Sequence, residues 1–337
     1  MKLPTGLILA AALSLFSLSS LSATREVTDD AGKQVVLPAR VERIADAWYA
    51  HHSLLMTLGA GGKIVATVNH RESQPWMFHI QPSLNQALSV KGTTFNPESL
   101  LAQKVDVVFV SAGNRDALAL RQAGLPVVEM KFTDFESMKR SLRTTAQVLG
   151  TPEAAGRAQE YIHYLDDHLQ QISAKTASLT VDQRPRVLHI QSLNPLKVDG
   201  SDTLIDQWIH AAGGRNAADG LKGNMQPVSA EQLLAWQPDV IILAASAGDI
   251  STSAYASQFA LLTAVKQGRV WRNPAGVFPW DRYGTETALQ IQWATQKLHP
   301  ELFQDLNMVQ VTRDFYRRFF DYPLTPEEAG RILAGKF

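Results

Sequence analysis

The chain contains no cysteine. Disulfides, thiolate metal sites and thiol nucleophiles are therefore excluded, together with a lipid anchor attached through a cysteine. A charge excess is missing too: 32 Lys+Arg against 32 Asp+Glu leave a formal charge of zero. No basic field exists to hold nucleic acid, and no polybasic stripe to hold a membrane. Low-complexity segments and charge runs are absent. So are the common enzymatic signatures: GxxxxGKS/T, HExxH and GxSxG do not occur, and Gly59-Ala60-Gly61-Gly62 follows a helical pattern and lacks the third glycine of a dinucleotide loop. No catalytic residue and no resident cofactor are expected.

Long apolar runs are scarce as well. The one that stands out follows Met1-Lys2, runs from Leu7 to Leu18 and passes into small residues ending at Ala23. This charged, apolar, small order predicts a cleavable export signal over 1–23, shorter than the ~18 to 20 apolar residues of a membrane helix. Without a cysteine at the cleavage site, the mature chain is expected to diffuse freely in the periplasm.

What the chain does have is a repeated phrase. NPESLLAQKVDVVFV at 96–110 returns as SAEQLLAWQPDVIIL at 229–243, with Glu98/Glu231 and Asp106/Asp239 among the identical positions. Each copy reads as an N-cap (Asn96, Ser229), a carboxylate in the first turn, a short helix and a buried strand. Two similar lobes follow from this. The length of 337 residues suits two domains of about 120–150 residues each.

Strand and helix patterns alternate on both sides of a long helical stretch. Strands are expected over 43–47, 64–68 and 126–130 in the first part, and over 186–190 and 268–271 in the second. This βαβα order predicts an α/β fold of two parallel-sheet lobes, 24–150 and 181–337. Thr151-Pro152-Glu153 is a helix start, and the helix it opens, 151–180, is expected to join the lobes as a single rigid rod.

Ligands in such folds gather at the carboxyl ends of the strands. The expected ligand contacts are Trp48, Tyr49, His51, Arg115, Met225, Trp280, Arg282 and Tyr283. For Trp48, Trp76 and Trp280 a plain core role stands beside the binding one. His51, His52, His70 and His79 form a local cluster, but adjacent histidines point apart, so no metal site is assigned. Asp281 could hold Arg282 in an ion pair, which makes Arg115 the cleaner candidate for an anionic ligand.

Several segments together carry a resemblance: DDAGKQVVLPARVERIA, LGAGGKIVATV, the two repeat copies, DTLIDQWIHAAGGRNAA and WDRYGTETALQIQWATQKLHPELF. In their order and spacing they resemble the substrate-binding proteins of ABC importers for iron-siderophores, haem and cobalamin, over nearly all of the mature chain. The resemblance implies two lobes on one long helix, a ligand cleft between them, and a monomer that docks on a permease dimer through Glu98 and Glu231. It implies an iron chelate of the siderophore type as ligand, with haem, cobalamin, a nickel chelate or molybdate as alternatives. The second repeat ends in Ala244-Ala245-Ser246, without the cation that many siderophore binders carry there. A chelatase-like enzyme is the rival from another class.

Overall fold

The computed structural model describes residues 24–337. The expected signal, 1–23, lies outside the described residues. The described chain opens on an antiparallel hairpin, β1 (Thr24–Thr28) and β2 (Gln34–Pro38). Asp29 Oδ1 closes its turn by accepting from the N–H groups of Ala31 at 3.0 Å and Lys33 at 2.8 Å, a side chain standing in for backbone.

The first sheet comprises β3 (Ile44–Asp46), β4 (Ile64–Thr67), β5 (Leu88–Ser89), β6 (Val107–Ser111) and β7 (Val127–Met130), in the order β5-β4-β3-β6-β7 with every pair parallel. Between the strands run α1 (His51–Thr57), α2 (Pro75–Ile80), α3 (Pro97–Ala102) and α4 (Ala117–Gln122). Val107 to Val110 are all fully buried, because a parallel strand covered on both faces has no solvent side. α5 (Phe135–Leu149) starts on an Asp134–Ser137 capping box and stops at Gly150, whose φ of 70° a side chain would resist.

α6 (Pro152–Thr176) follows, 25 residues long, with Thr151 as N-cap and Pro152 in the first turn. At 1.5 Å per residue it spans about 37 Å. Ala154, Ala158, Tyr161, Ile162, Leu165 and Ile172 form its buried face, and it packs against α5 and α1 as well as helices of the second half.

The second sheet contains β8 (Arg186–Leu193), β9 (Leu196–Val198), β10 (Arg215–Asn216), β11 (Gln226–Pro227), β12 (Val240–Leu243) and β13 (Val270–Arg272). β10, β12 and β13 join β8 in a parallel core, but β9 turns back on β8 and β11 on β9. The sequence reading had only parallel strands here. Two residues, Asn194 and Pro195, separate β8 from β9, and so short a link permits a hairpin but no crossover. The helices are α7 (Leu204–Ala211), α8 (Ala230–Trp236), the short α9 (Ala256–Phe259) and α10 (Thr263–Lys266), α11 (Thr287–Leu298), α12 (Met308–Phe319) and α13 (Pro326–Leu333).

The repeat is structural as well as textual. Asn96 and Ser229 cap α3 and α8, and Glu98 and Glu231 each take the second helical position, exposed. Asp106 accepts from the backbone N–H of Arg43 at 2.8 Å, as Asp239 does from that of Arg186 at 2.7 Å. The side chains of Arg43 and Arg186 then bond carbonyls at the ends of α3 and α8, those of Gln103 and Trp236. Each copy thus locks one helix end to the start of the neighbouring strand.

α6 is not the sole tie between the halves. Thr285 N–H donates to Ser53 Oγ at 3.1 Å, and Tyr161 O–H to the Thr285 carbonyl at 2.6 Å. Gly284 permits this approach, since a Cβ there would meet Ser53 Oγ at 3.0 Å. Farther out, Trp76 Nε1 donates to the Lys336 carbonyl at 2.8 Å, and the Arg331 guanidinium lies 5.2 Å from the Trp76 ring centre.

Candidate functional site

The carboxyl end of β3 builds the first part of the site. Asp46, its last residue, is fully buried and accepts through Oδ1 from the Trp48 N–H at 3.0 Å. Its Oδ2 meets His51 Nδ1 at 3.0 Å and His52 Nδ1 at 3.2 Å. The far nitrogens are also taken, by Thr145 at 2.9 Å and Thr67 at 2.7 Å. Burial lowers the His52 pKa despite the pull of Asp46. His51 is therefore a correction to the sequence reading: it is 0% exposed and spends both nitrogens on orienting the turn that carries Trp48 and Tyr49. Among the described residues no group of three or more His, Cys, Asp or Glu is placed to hold a metal.

Trp48, half-buried, lies 5.2 Å from the Phe132 ring just after β7, and Phe132 lies 5.6 Å from Tyr283. This aromatic row runs from the first half of the chain into the second. Tyr49 stands beside its start, 39% exposed, with its carbonyl held by Asn69 Nδ2 at 2.9 Å. At the other end Tyr283 accepts from Asn224 Nδ2 at 2.5 Å, and Met225 follows with its side chain exposed.

Beneath Tyr283 lies a buried charge network. His189, in the middle of β8, contacts Asp199 at 2.8 Å and Asp281 at 2.7 Å. Burial alone would lower its pKa; the two carboxylates outweigh burial and raise it to about 9. Asp199, which burial would raise, is instead held at about 2 by His189 and Arg282. Arg282 Nη1 reaches both Asp199 oxygens at 3.1 Å, so its partner is Asp199 and not the adjacent Asp281. Two cations and two carboxylates cancel.

Trp280 is the second correction. It is 0% exposed, and its Nε1 donates to Glu286 Oε1 at 3.0 Å. Glu286 also accepts from Tyr316 and from the N–H groups of Val277 and Phe278. Burial still prevails over these donors and pushes its pKa up to about 7. Trp280 is a core residue anchoring the loop that presents Arg282 and Tyr283.

The structure brings together Trp48, Tyr49, Met225, Arg282 and Tyr283 through these contacts. Arg115 is exposed on the loop after β6 and makes no ion pair with a described residue; nothing links it to the row. Sequence reasoning missed Phe132, Asn224, His189 and Asp199. Only His189 gave a signal, as a polar residue inside the apolar run of β8.

The sequence profile of the periplasmic binding protein family matches residues 49–275. The chain belongs to that family. A full-length relative is the molybdate-binding protein MolA of Haemophilus influenzae, 25% identical over 98% of this chain and 100% of that protein. The vitamin B12-binding protein of Salmonella typhimurium is 28% identical over 46% of this chain and 57% of its own length. Among solved structures, a periplasmic solute-binding protein from Veillonella parvula superposes with a TM-score of 0.80 at 28% identity, covering 92% of this chain and 97% of that one. MolA bound to molybdate gives 0.79 at 21% identity, with 89% and 99% covered, a likeness of fold. These are binding proteins of transport systems, and the chain is of that kind rather than an enzyme, which sets the chelatase alternative aside.

Proposed function

We propose that the protein is a periplasmic carrier of a small solute rich in anionic oxygen atoms, an oxyanion of the molybdate kind, which it delivers to an inner-membrane ABC permease. The observation that carries this reading is the set of uncommitted donors along the aromatic row. Trp48 Nε1 makes no hydrogen bond to a described residue, the Tyr283 hydroxyl accepts from Asn224 and keeps its own proton, and Arg282 spends only Nη1 on Asp199. Donors that are already oriented favour acceptor oxygens without reorganisation. Because the underlying charges cancel, dipoles and N–H groups supply the attraction. The full-length similarity to a molybdate-binding relative supports the same class.

A siderophore-type iron chelate is the second reading. It is favoured by the apolar surface of Trp48, Tyr49 and Met225, which suits an organic ligand frame. In either case segment 1–23 serves as the export signal, 24–150 and 181–337 act as lobes on the rod 151–180, and Glu98 and Glu231 dock on the permease.

A thermal-shift series with molybdate, tungstate, ferric siderophores, haemin, cobalamin and nickel-histidine tests this. A ligand at 100 times its Kd adds about 2.7 kcal/mol of stability. Stabilisation by molybdate is expected. A shift with ferric chelates alone would move the assignment to the second reading, and no shift with any of them would sink both.

A further inference from the structure

A cavity of about 400 Å³ lies between Ser73 to Trp76 of the first lobe and Gln191, Ala244, Pro279 and Asp281 of the second. Most of its wall is apolar. Two polar atoms interrupt that wall: Asp281 Oδ1 and Gln191 Oε1 are buried, and neither has a hydrogen-bond partner among the described residues. Asp281 is 0% exposed, and its other oxygen is occupied by His189 at 2.7 Å. An unpaired buried acceptor costs about 1–3 kcal/mol. Since both orphan atoms are acceptors, what completes the cavity is a donor.

The surrounding charges decide which kind. His189 and Arg282 already balance Asp199 and Asp281, and at the rim Glu72 and Lys336 offset each other. An ammonium or metal cation would enter with no net negative charge to meet it, keeping the desolvation cost of burial. A neutral NH2 group brings two donors for two acceptors and no charge.

We propose that this cavity is a binding subsite for a neutral N–H donor, a primary carboxamide or urea-type group, held between Asp281 Oδ1 and Gln191 Oε1. Its hydrogen-bond chemistry is opposite to that of the row from Trp48 to Tyr283, so the two can be loaded independently. The Trp76 ring in the wall provides a flat surface for the rest of such a ligand.

Benzamide, benzylammonium and benzoate share one ring and differ only in the group they present. Each is titrated into the full chain and followed by NMR at the Trp76 indole N–H. Benzamide is expected to bind at least about tenfold more tightly than the other two, the worth of one hydrogen bond. Gln191→Leu should weaken benzamide by about tenfold on the same arithmetic, and Gln191→Glu, which adds a negative charge, should turn the preference toward benzylammonium. A wild-type preference for either charged probe overturns the proposal, as does benzamide that fails to shift Trp76. Unchanged benzamide affinity in a Gln191→Leu chain of wild-type melting temperature also overturns it; should that variant not fold, Gln191→Glu carries the test. Molybdate titrated in parallel separates the two sites. A molybdate response without benzamide binding removes the subsite alone, and benzamide binding without any anion response removes the oxyanion reading alone.

Discussion

A single imidazole, His189, sets the pH behaviour of the second lobe. Its folded pKa of about 9 lies above the ordinary 6.5, so its contribution is complete below pH 6.5 and is lost as pH rises through 9. The size is on the order of 3 kcal/mol. Glu286, raised to about 7 from an ordinary 4.5, acts in the same direction over a lower window: full below 4.5, lost as pH rises through 7. Urea unfolding from pH 4 to 10 should therefore show stability falling in two steps. His189→Leu should keep the lower step, lose the upper one, and cost about 3–5 kcal/mol at pH 6, because two buried carboxylates lose their cation. A retained upper step would show that another group titrates there. At the site itself, Tyr283→Phe removes one donor and should weaken an oxyanion by about 0.5–1.5 kcal/mol without altering the melting temperature. Calorimetry on the variant decides, and unchanged affinity would take Tyr283 out of the contact set.

At the scale of elements, the paired units α3–β6 and α8–β12 present Glu98 and Glu231 at matching exposed positions. Glu98→Ala and Glu231→Ala are expected to leave solute affinity unchanged and to impair uptake through the permease, most severely together. Lost affinity with normal uptake would contradict the docking role. These units were legible because everything that defines them is local: an N-cap, an apolar run, an Asp three to five residues past the helix. α6 was legible for the same reason, from Thr151-Pro152 onward. The reversed strand β9 was not, since Leu196–Val198 reads alike in either direction and only the length of its link settles the matter. The charge network was still less accessible. His189 meets partners 10 and 92 positions away, and no periodicity encodes such a meeting. His51 and Trp280 were misassigned because strand ends carry both the residues that face a ligand and the residues that hold those in place.

For the whole molecule, the ties through Thr285, Tyr161 and Trp76 stiffen what α6 alone would leave free to pivot. Ligand binding should accordingly produce only a small closure. Solution scattering with and without the solute is expected to give nearly the same radius of gyration, and a large decrease would mean that these ties break on binding. Replacing Trp76 by Ala removes the outermost tie and should widen the range of shapes sampled without solute, again measurable by scattering.

The duplication of the frame stops where the strands stop. Up to Ser111 and Leu243 the two halves follow one plan, including the arginine and aspartate that lock each helix to its strand. Beyond those residues one half continues as Ala112-Gly113-Asn114-Arg115 and the other as Ala244-Ala245-Ser246. The molecule is thus a near-symmetric chassis with an asymmetric reading head. Substitutions at the symmetric positions should trade with one another in kind and cost, whereas the strand tips are free to diverge independently. A change of cargo can then be written into a few loop residues on one side while the spacing of the two outward carboxylates stays fixed.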